Sequence, residues 1–283
     1  MTSSSANYRF IKAFTCSFLL VFAFTNLTAQ VNSTEVDEHD ASDPATMKSR
    51  IDADAESYFF LGGARHYAMR FGYEYGLQGG KHLFDVSIPF VHTVYAADYG
   101  GLENTSGIGD LKMRYMLVPY EVKNGTGLQR ISGYLEATAP TGESALGRGT
   151  GTWVYRPGMI FTFRPNPYVA FYPDIKYQFS LKDANYQWGD APDASDPDRD
   201  GKISNLIMSV PAVVVVPNWH GWTGLNTTYI QSFSEHTYYL FLRLDFGTMI
   251  GNKTSAALNI TKFIAGQPTL DVLVQAKFQF FLR

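Results

Sequence analysis

The chain runs to 283 residues, of which 15% are aromatic (18 Tyr and 21 Phe among them) and 25 are glycine, a balance that suits one large, turn-rich all-β domain. Its formal net charge of -3 becomes -5 once a cleaved leader takes Arg9 and Lys12 with it, and so acidic a chain makes nucleic acid a poor partner. The single cysteine, Cys16, lies in that leader, which excludes disulfides, zinc-thiolate sites and cysteine nucleophiles from the mature chain.

The N-terminus opens with Arg9 and Lys12, followed by the apolar run Ala13 to Phe24 and then Thr25 to Ala29. This is the order of a secretory signal peptide over residues 1–29, with Leu27 and Ala29 at the cleavage positions. The run is too short to cross a bilayer as a helix, and no other stretch comes close. Residues 30–55 are acidic, carry Ser, Thr and Asp, and follow neither the helical nor the strand period. They are expected to form a flexible periplasmic extension, with a plug folded into a barrel as the alternative.

From Glu56 onward, segments of alternating character are separated by turn residues. Tyr67, Met69, Phe71, Tyr73 and Tyr75 alternate with Arg70 and Glu74, and Phe84, Val86, Ile88 and Phe90 oppose Asp85. Met113 and Tyr115 then oppose Asp110, Lys112 and Arg114; Leu135 and Ala137 oppose Glu136; Tyr155, Met159 and Phe161 oppose Arg156. Ile175, Tyr177 and Phe179 oppose Asp174 and Lys176, and Leu240, Leu242 and Leu244 oppose Arg243 and Asp245. In the last fourteen residues Val272, Val274, Ala276, Phe278 and Phe280 share one parity, and Asp271, Gln275, Lys277 and Gln279 the other. Residues 202–216 and 221–232 alternate poorly, and their faces stay unassigned.

Segments of about ten residues with aromatics near both ends match a bilayer crossed at a tilt, whereas soluble strands are nearer five or six residues. Counting Glu56 to Gly62 as the first strand gives twelve, near 56–62, 66–77, 82–95, 109–120, 130–140, 152–163, 168–181, 202–216, 221–232, 237–247, 253–264 and 270–282. With a periplasmic N-terminus, the long connections 96–108, 141–151 and 183–201 all fall outside and the short turns inside. That asymmetry, with an even count that closes the sheet, predicts a transmembrane antiparallel up-and-down β-barrel of about twelve strands over residues 56–283. It would sit in the outer membrane of a Gram-negative cell. Its expected partners are membrane lipids and lipopolysaccharide, the outer-membrane assembly machinery and a small-molecule solute.

The polar faces pool into lumen charges: Arg70, Lys112, Arg114, Arg156, Lys176, Arg243 and Lys277 against Glu74, Asp85, Asp110, Glu136, Asp174, Asp245 and Asp271. Equal numbers of each sign allow two readings, a narrow barrel filled by ion pairs or a lumen that passes or holds a solute. The loop Asp196-Pro197-Asp198-Arg199-Asp200-Gly201-Lys202-Ile203-Ser204 places carboxylates of Asp196, Asp198 and Asp200 at alternate positions with glycine for the sharp turn, as a Ca2+ loop does. Ile207 stands where an EF-hand has its bidentate Glu, so the choice lies between a solvated acidic loop and a calcium site borrowing Asp183, Asp190 or Asp193. No other cofactor is indicated. Enzyme signatures such as G-x-S-x-G or H-E-x-x-H are absent, and His66, His82, His92, His220 and His236 are scattered, so no catalytic residue is predicted.

Two stretches resemble a known family. Thr105 to Tyr115, reading TSGIGDLKMRY, is similar to the "sGlGDl-x-l-x-y" strand of the MetA-pathway phenol-degradation family. Ala139-Pro140-Thr141-Gly142, Leu146 to Gly151 and Tyr155-Arg156-Pro157-Gly158 resemble its "PTG...lGtG...pG" stretch, and Gly72 to Leu77 is similar as well; the likeness spans roughly residues 65–181. It implies an outer-membrane transporter-like barrel that passes small aromatic or hydrophobic compounds through a charged lumen or a lateral gap. The alternatives are a closed structural or surface-binding barrel and an outer-membrane lipid-modifying enzyme.

Overall fold

The computed structural model describes residues 36, 38–61, 63–77, 80–94, 104–122, 126–184, 201–266 and 270–282. The leader 1–29 and the aspartates Asp190, Asp193, Asp196, Asp198 and Asp200 lie outside the described residues.

Fourteen strand segments make twelve crossings of one closed antiparallel sheet. They are β1 (Arg50–Phe60), β2 (Arg65–Gly76), β3 (His82–Val94), β4 (Thr105–Ile108), β5 (Leu111–Glu121), β6 (Gly127–Ala139), β7 (Val154–Asn166), β8 (Val169–Phe171), β9 (Asp174–Ser180), β10 (Ser204–Val216), β11 (Gly221–Ser232), β12 (Thr237–Met249), β13 (Thr254–Gly266) and β14 (Leu270–Phe281). β4 with β5, and β8 with β9, are single crossings broken midway. The first break lies beside Pro89, whose ring leaves no room for a Cβ at Gly109 (2.9 Å), while Gly109 N–H still donates to Pro89 O at 2.8 Å. The second lies at Tyr172-Pro173, where the chain stays tied through Tyr172 N–H to Pro211 O and Phe161 N–H to Pro173 O, both 2.9 Å. β1 pairs with β14 from Arg50 opposite Phe281 to Phe60 opposite Leu270, which closes the barrel and leaves no edge.

The strands of twelve and thirteen residues, at about 3.3 Å rise and a tilt near 45°, match a hydrocarbon layer about 30 Å thick. The predicted faces hold. Phe71 is 49% exposed on the outer wall while Glu74, three residues on, is 3% exposed inside. The outward rows of β3, β7, β12 and β14 are the apolar ones, and no second layer covers them among the described residues. Short turns gather at one end, after β2, β5, β7, β10 and β12, and the long connections at the other; these are called the turn end and the loop end.

Two expectations are corrected. The first strand begins at Arg50 rather than Glu56, because Ile51, Ala53 and Ala55 face outward while Arg50, Asp52 and Asp54 face inward. Small outward residues and a run of inward carboxylates masked the alternation. The described part of the extension is the plug rather than the free linker: a short helix α1 (Glu38–Ser42) contacts β10, β11 and β12. Ala41 and Ala45 are buried in a cluster with Leu83, Met116, Ala170, Val213 and Trp222, contributed by five strands around the turn end. This explains the poor alternation of β10, whose inward Val213 and Val215 are apolar because they meet the plug and not water.

Candidate functional site: the plugged lumen

Apart from Asp110 and Asp271, the pooled lumen charges sit where the period of two places them, and several meet a partner on a neighbouring or the same strand. Arg50 reaches Glu74 at 2.6 Å and Asp52 at 3.2 Å, and Arg114 shares Glu74 at 3.3 Å while approaching Asp85 at 3.4 Å. Arg70 pairs with Glu56 at 3.0 Å, whose carboxylate also accepts from Tyr58 OH (2.8 Å) and Gln275 Nε2 (3.1 Å). Arg156 bonds Glu136; Lys176 pairs with Asp174 at 3.0 Å, to which Tyr134 OH also donates at 2.7 Å. Arg243 pairs with Asp245 at 2.7 Å. Lys112 and Lys277 stand on the same inner wall with no carboxylate within ion-pair distance among the described residues.

Two of the pooled residues fall elsewhere. Asp110 lies in the break between β4 and β5, not on the lumen wall, and its carboxylate accepts from Gly142 N–H (2.9 Å), Thr150 N–H (2.7 Å) and Thr150 OH (2.9 Å). Its partners are on the 140–153 loop, because the break turns the peptide out of the strand period at that point. Asp271 pairs with Lys262 at the loop-end rim, half exposed. Asp183 lies beside Gly201, and Ala184 N–H donates to Gly201 O at 2.8 Å, so the ends of the Asp-rich loop meet.

The sequence reading missed Arg50, Asp52, Asp54 and Glu56 as lumen residues, and it missed the residues that hold the plug. Asp43, 2% exposed, lies between Arg130 (3.3 Å) and Arg164 (3.7 Å) and accepts from Ala45 N–H at 2.8 Å. Arg130 also donates to Ala45 O, and His39 donates from its ring to Pro167 O at 2.7 Å. The parity of Arg164, two beyond Thr162, carried the signal; Arg130 was hidden by a bulge between Leu128 and Arg130.

Above the plug lies a cavity of about 400 Å³, floored by Ala41 to Pro44 and walled by Arg114, Lys176, Arg243, Asn226 and Gln275. A second space of about 200 Å³ lies between Pro44 and the wall from β14 to β5. At about 30 Å³ per water, the larger one holds on the order of a dozen waters or one small solute. Buried pairs of this kind stabilise little net, but removing one partner strands the other charge. On the outer face, Ser106 Oγ and His92 Nδ1 are 2.6 Å apart.

A family model described as "Putative MetA-pathway of phenol degradation" matches residues 41–195. An outer-membrane channel from Pseudomonas putida F1 is similar in structure with a TM-score of 0.63 at 13% identity, over 90% of this chain and 100% of that one. The KdgM porin (TM-score 0.53, 7% identity, 82% of this chain and 99% of that one) and the NanC porin (TM-score 0.53, 9% identity, 81% and 100%) share the architecture. At such identities the likeness is one of fold, that of an outer-membrane barrel. No curated protein matches the sequence.

Proposed function

The chain belongs to the MetA-pathway phenol-degradation family, and from that premise we propose that it is a passive outer-membrane conduit for small hydrophobic or aromatic compounds. The loop end faces the outside and receives the solute, and the turn end faces the periplasm behind the plug. The observation that carries this reading is a water-sized to solute-sized cavity of about 400 Å³ enclosed by a closed barrel and, among the described residues, floored at the turn end by a short, side-chain-anchored segment. A barrel serving only as structure has no need of a removable floor. In this reading transport runs down the solute's gradient.

The reading is tested by reconstituting the full chain in planar bilayers and in liposomes loaded with an impermeant osmolyte. Discrete single-channel currents and swelling in small polar solutes are expected. A protein that inserts as a heat-modifiable barrel yet stays silent in both assays would favour the closed structural barrel instead.

A second reading, a lipid hydrolase, draws on the Ser106–His92 contact on the lipid-facing wall. It requires release of fatty acid from labelled phospholipid that Ser106→Ala abolishes; no release removes it.

A further inference from the structure

The outer wall of the barrel is not smooth. Over β2, β3, β5 and β6 it carries a hollow of about 580 Å³, lined almost entirely by apolar side chains. Tyr75, Phe84 and Tyr115 share one rung of the sheet, and Tyr73, Val86, Met113 and Ala137 share the next rung on the same face, toward the loop end. Tyr73 and Tyr75 stack at 6.3 Å with 22° between their planes, and Phe84 leans on Tyr115 at 4.9 Å. Beside these rings Val86 and Ala137 are short. Gly133, on the same face two residues before Leu135, has no atom within 4 Å of where a Cβ would stand. Large rings beside short residues give the wall its depth.

His82 and Leu117 form the rung between the hollow and the turn end. With the turn end in the periplasm, the hollow therefore opens in the periplasmic half of the bilayer, where acyl chains meet the headgroups of glycerophospholipids. Aromatic residues gather at that level in any barrel, but a girdle alone needs no hollow. On β12, by contrast, the outward row Leu240, Leu242, Leu244 and Phe246 is bulky throughout. At the lip, His82 Nδ1 and Tyr115 OH are 2.7 Å apart. The exposed Lys81 is fixed beside them, because its carbonyl accepts from Val118 N–H at 2.8 Å, and it makes no ion pair among the described residues. An apolar trough with a cation and hydrogen-bonding groups at one end is the complement of an acyl chain joined to a phosphate.

We propose that this hollow binds one glycerophospholipid of the periplasmic leaflet. An acyl chain lies against Val86, Met113 and Ala137, and the phosphate meets Lys81 and His82. Next to Val86 and Met113 in the chain, Asp85 and Arg114 face the lumen and approach each other at 3.4 Å, so the lipid backs the stretch of wall on which that pair stands. The site goes beyond the conduit reading and shares with it only the orientation of the barrel.

The test is native mass spectrometry of the full-length protein, released from nonionic detergent after incubation with phosphatidylglycerol or with a diacylglycerol of the same chains. Wild type is expected to keep one phosphatidylglycerol and to bind the diacylglycerol about tenfold more weakly, for want of the phosphate. Lys81→Gln brings the phospholipid down to the diacylglycerol level. Ala137→Phe fills the hollow and loses the lipid, while Ala256→Phe, the same change on the outer face of β13, keeps it. If Ala137→Phe does not fold, Tyr73→Ala with Tyr115→Ala takes down the sides of the hollow and loses the lipid equally. Three outcomes overturn the site: no lipid kept by wild type, a graded series of lipids that Ala137→Phe leaves unchanged, or lipopolysaccharide kept in preference to phosphatidylglycerol. A silent bilayer with one phospholipid retained sinks the conduit and leaves the site standing.

Discussion

Asp110 does at the scale of one residue what the glycine-rich motifs around it require. Its carboxylate receives three hydrogen bonds from Gly142 and Thr150, Thr141 OH donates to Gly109 O at 3.1 Å and accepts from Leu111 N–H at 2.8 Å, and Arg148 donates to Ser106 O at 2.9 Å. The glycines are needed because a Cβ on Gly149 would collide with the Asp110 carboxylate, and one on Gly142 with Arg148 O. The two stretches that carried the family resemblance are therefore one hydrogen-bonded unit, though the sequence presents them as separate words thirty residues apart. Asp110→Ala, at about 1.5–3 kcal/mol for a hydrogen bond to a charged group, is expected to free the 140–153 loop and expose it to limited proteolysis without dissolving the barrel. A loop as protease-resistant as wild type would refute that role. The same residue-scale logic separates Leu242 from Arg243. Leu242→Arg puts a cation into lipid at a cost of about 2–4 kcal/mol and should block assembly. Arg243→Leu, on a half-wet inner wall, should still give heat-modifiable barrel on gels, and equal damage from both would overturn the face assignment.

At the scale of elements, the alternation of β2, β3, β5, β7, β9, β12 and β14 was legible because one face meets lipid and the other meets charge. Where a strand meets something else, the pattern blurs. β10 meets the plug with Val213 and Val215, so both its faces are apolar, and β1 meets the bilayer with Ile51, Ala53 and Ala55, too small to stand out against Asp52 and Asp54. The plug itself has no period to read, since it is held by side chains rather than by a ladder. Asp43 is the strongest of these, two arginines closing on a carboxylate that is 2% exposed. Asp43→Ala leaves Arg130 and Arg164 facing each other's charge, and loss of one partner of a buried pair costs about 3–5 kcal/mol. At about 1.4 kcal/mol per tenfold, the displaced state should gain roughly a hundredfold in population or more, read as longer open times in single-channel records. Unchanged open times in Asp43→Ala would mean the plug is held by its apolar contacts alone.

For the whole molecule, closure and occlusion are separate properties carried by separate residues. Every rung of the seam between β1 and β14 lies within Arg50–Phe60 and Leu270–Phe281, and the last tie, Leu282 N–H to Ser49 O at 2.8 Å, comes after the plug in the chain. The plug adds a buried apolar cluster drawn from strands all around the turn end, including Leu83, Ile160, Tyr172, Val215 and Trp222. Deleting residues 36–48 therefore removes a wedge that tightens the barrel but none of the bonds that close it. The shortened protein should still migrate as a heat-modifiable barrel, with a lower midpoint for thermal loss of that form, because Leu83, Met116 and Val213 trade apolar neighbours for water at about 25 cal/mol per Å². Its conductance should rise above that of the full chain, as the cavity then opens through to the turn end. A deletion that yields no folded barrel would show that the plug templates closure during assembly, and one that folds with unchanged conductance would place the obstruction higher in the lumen, toward the loop end.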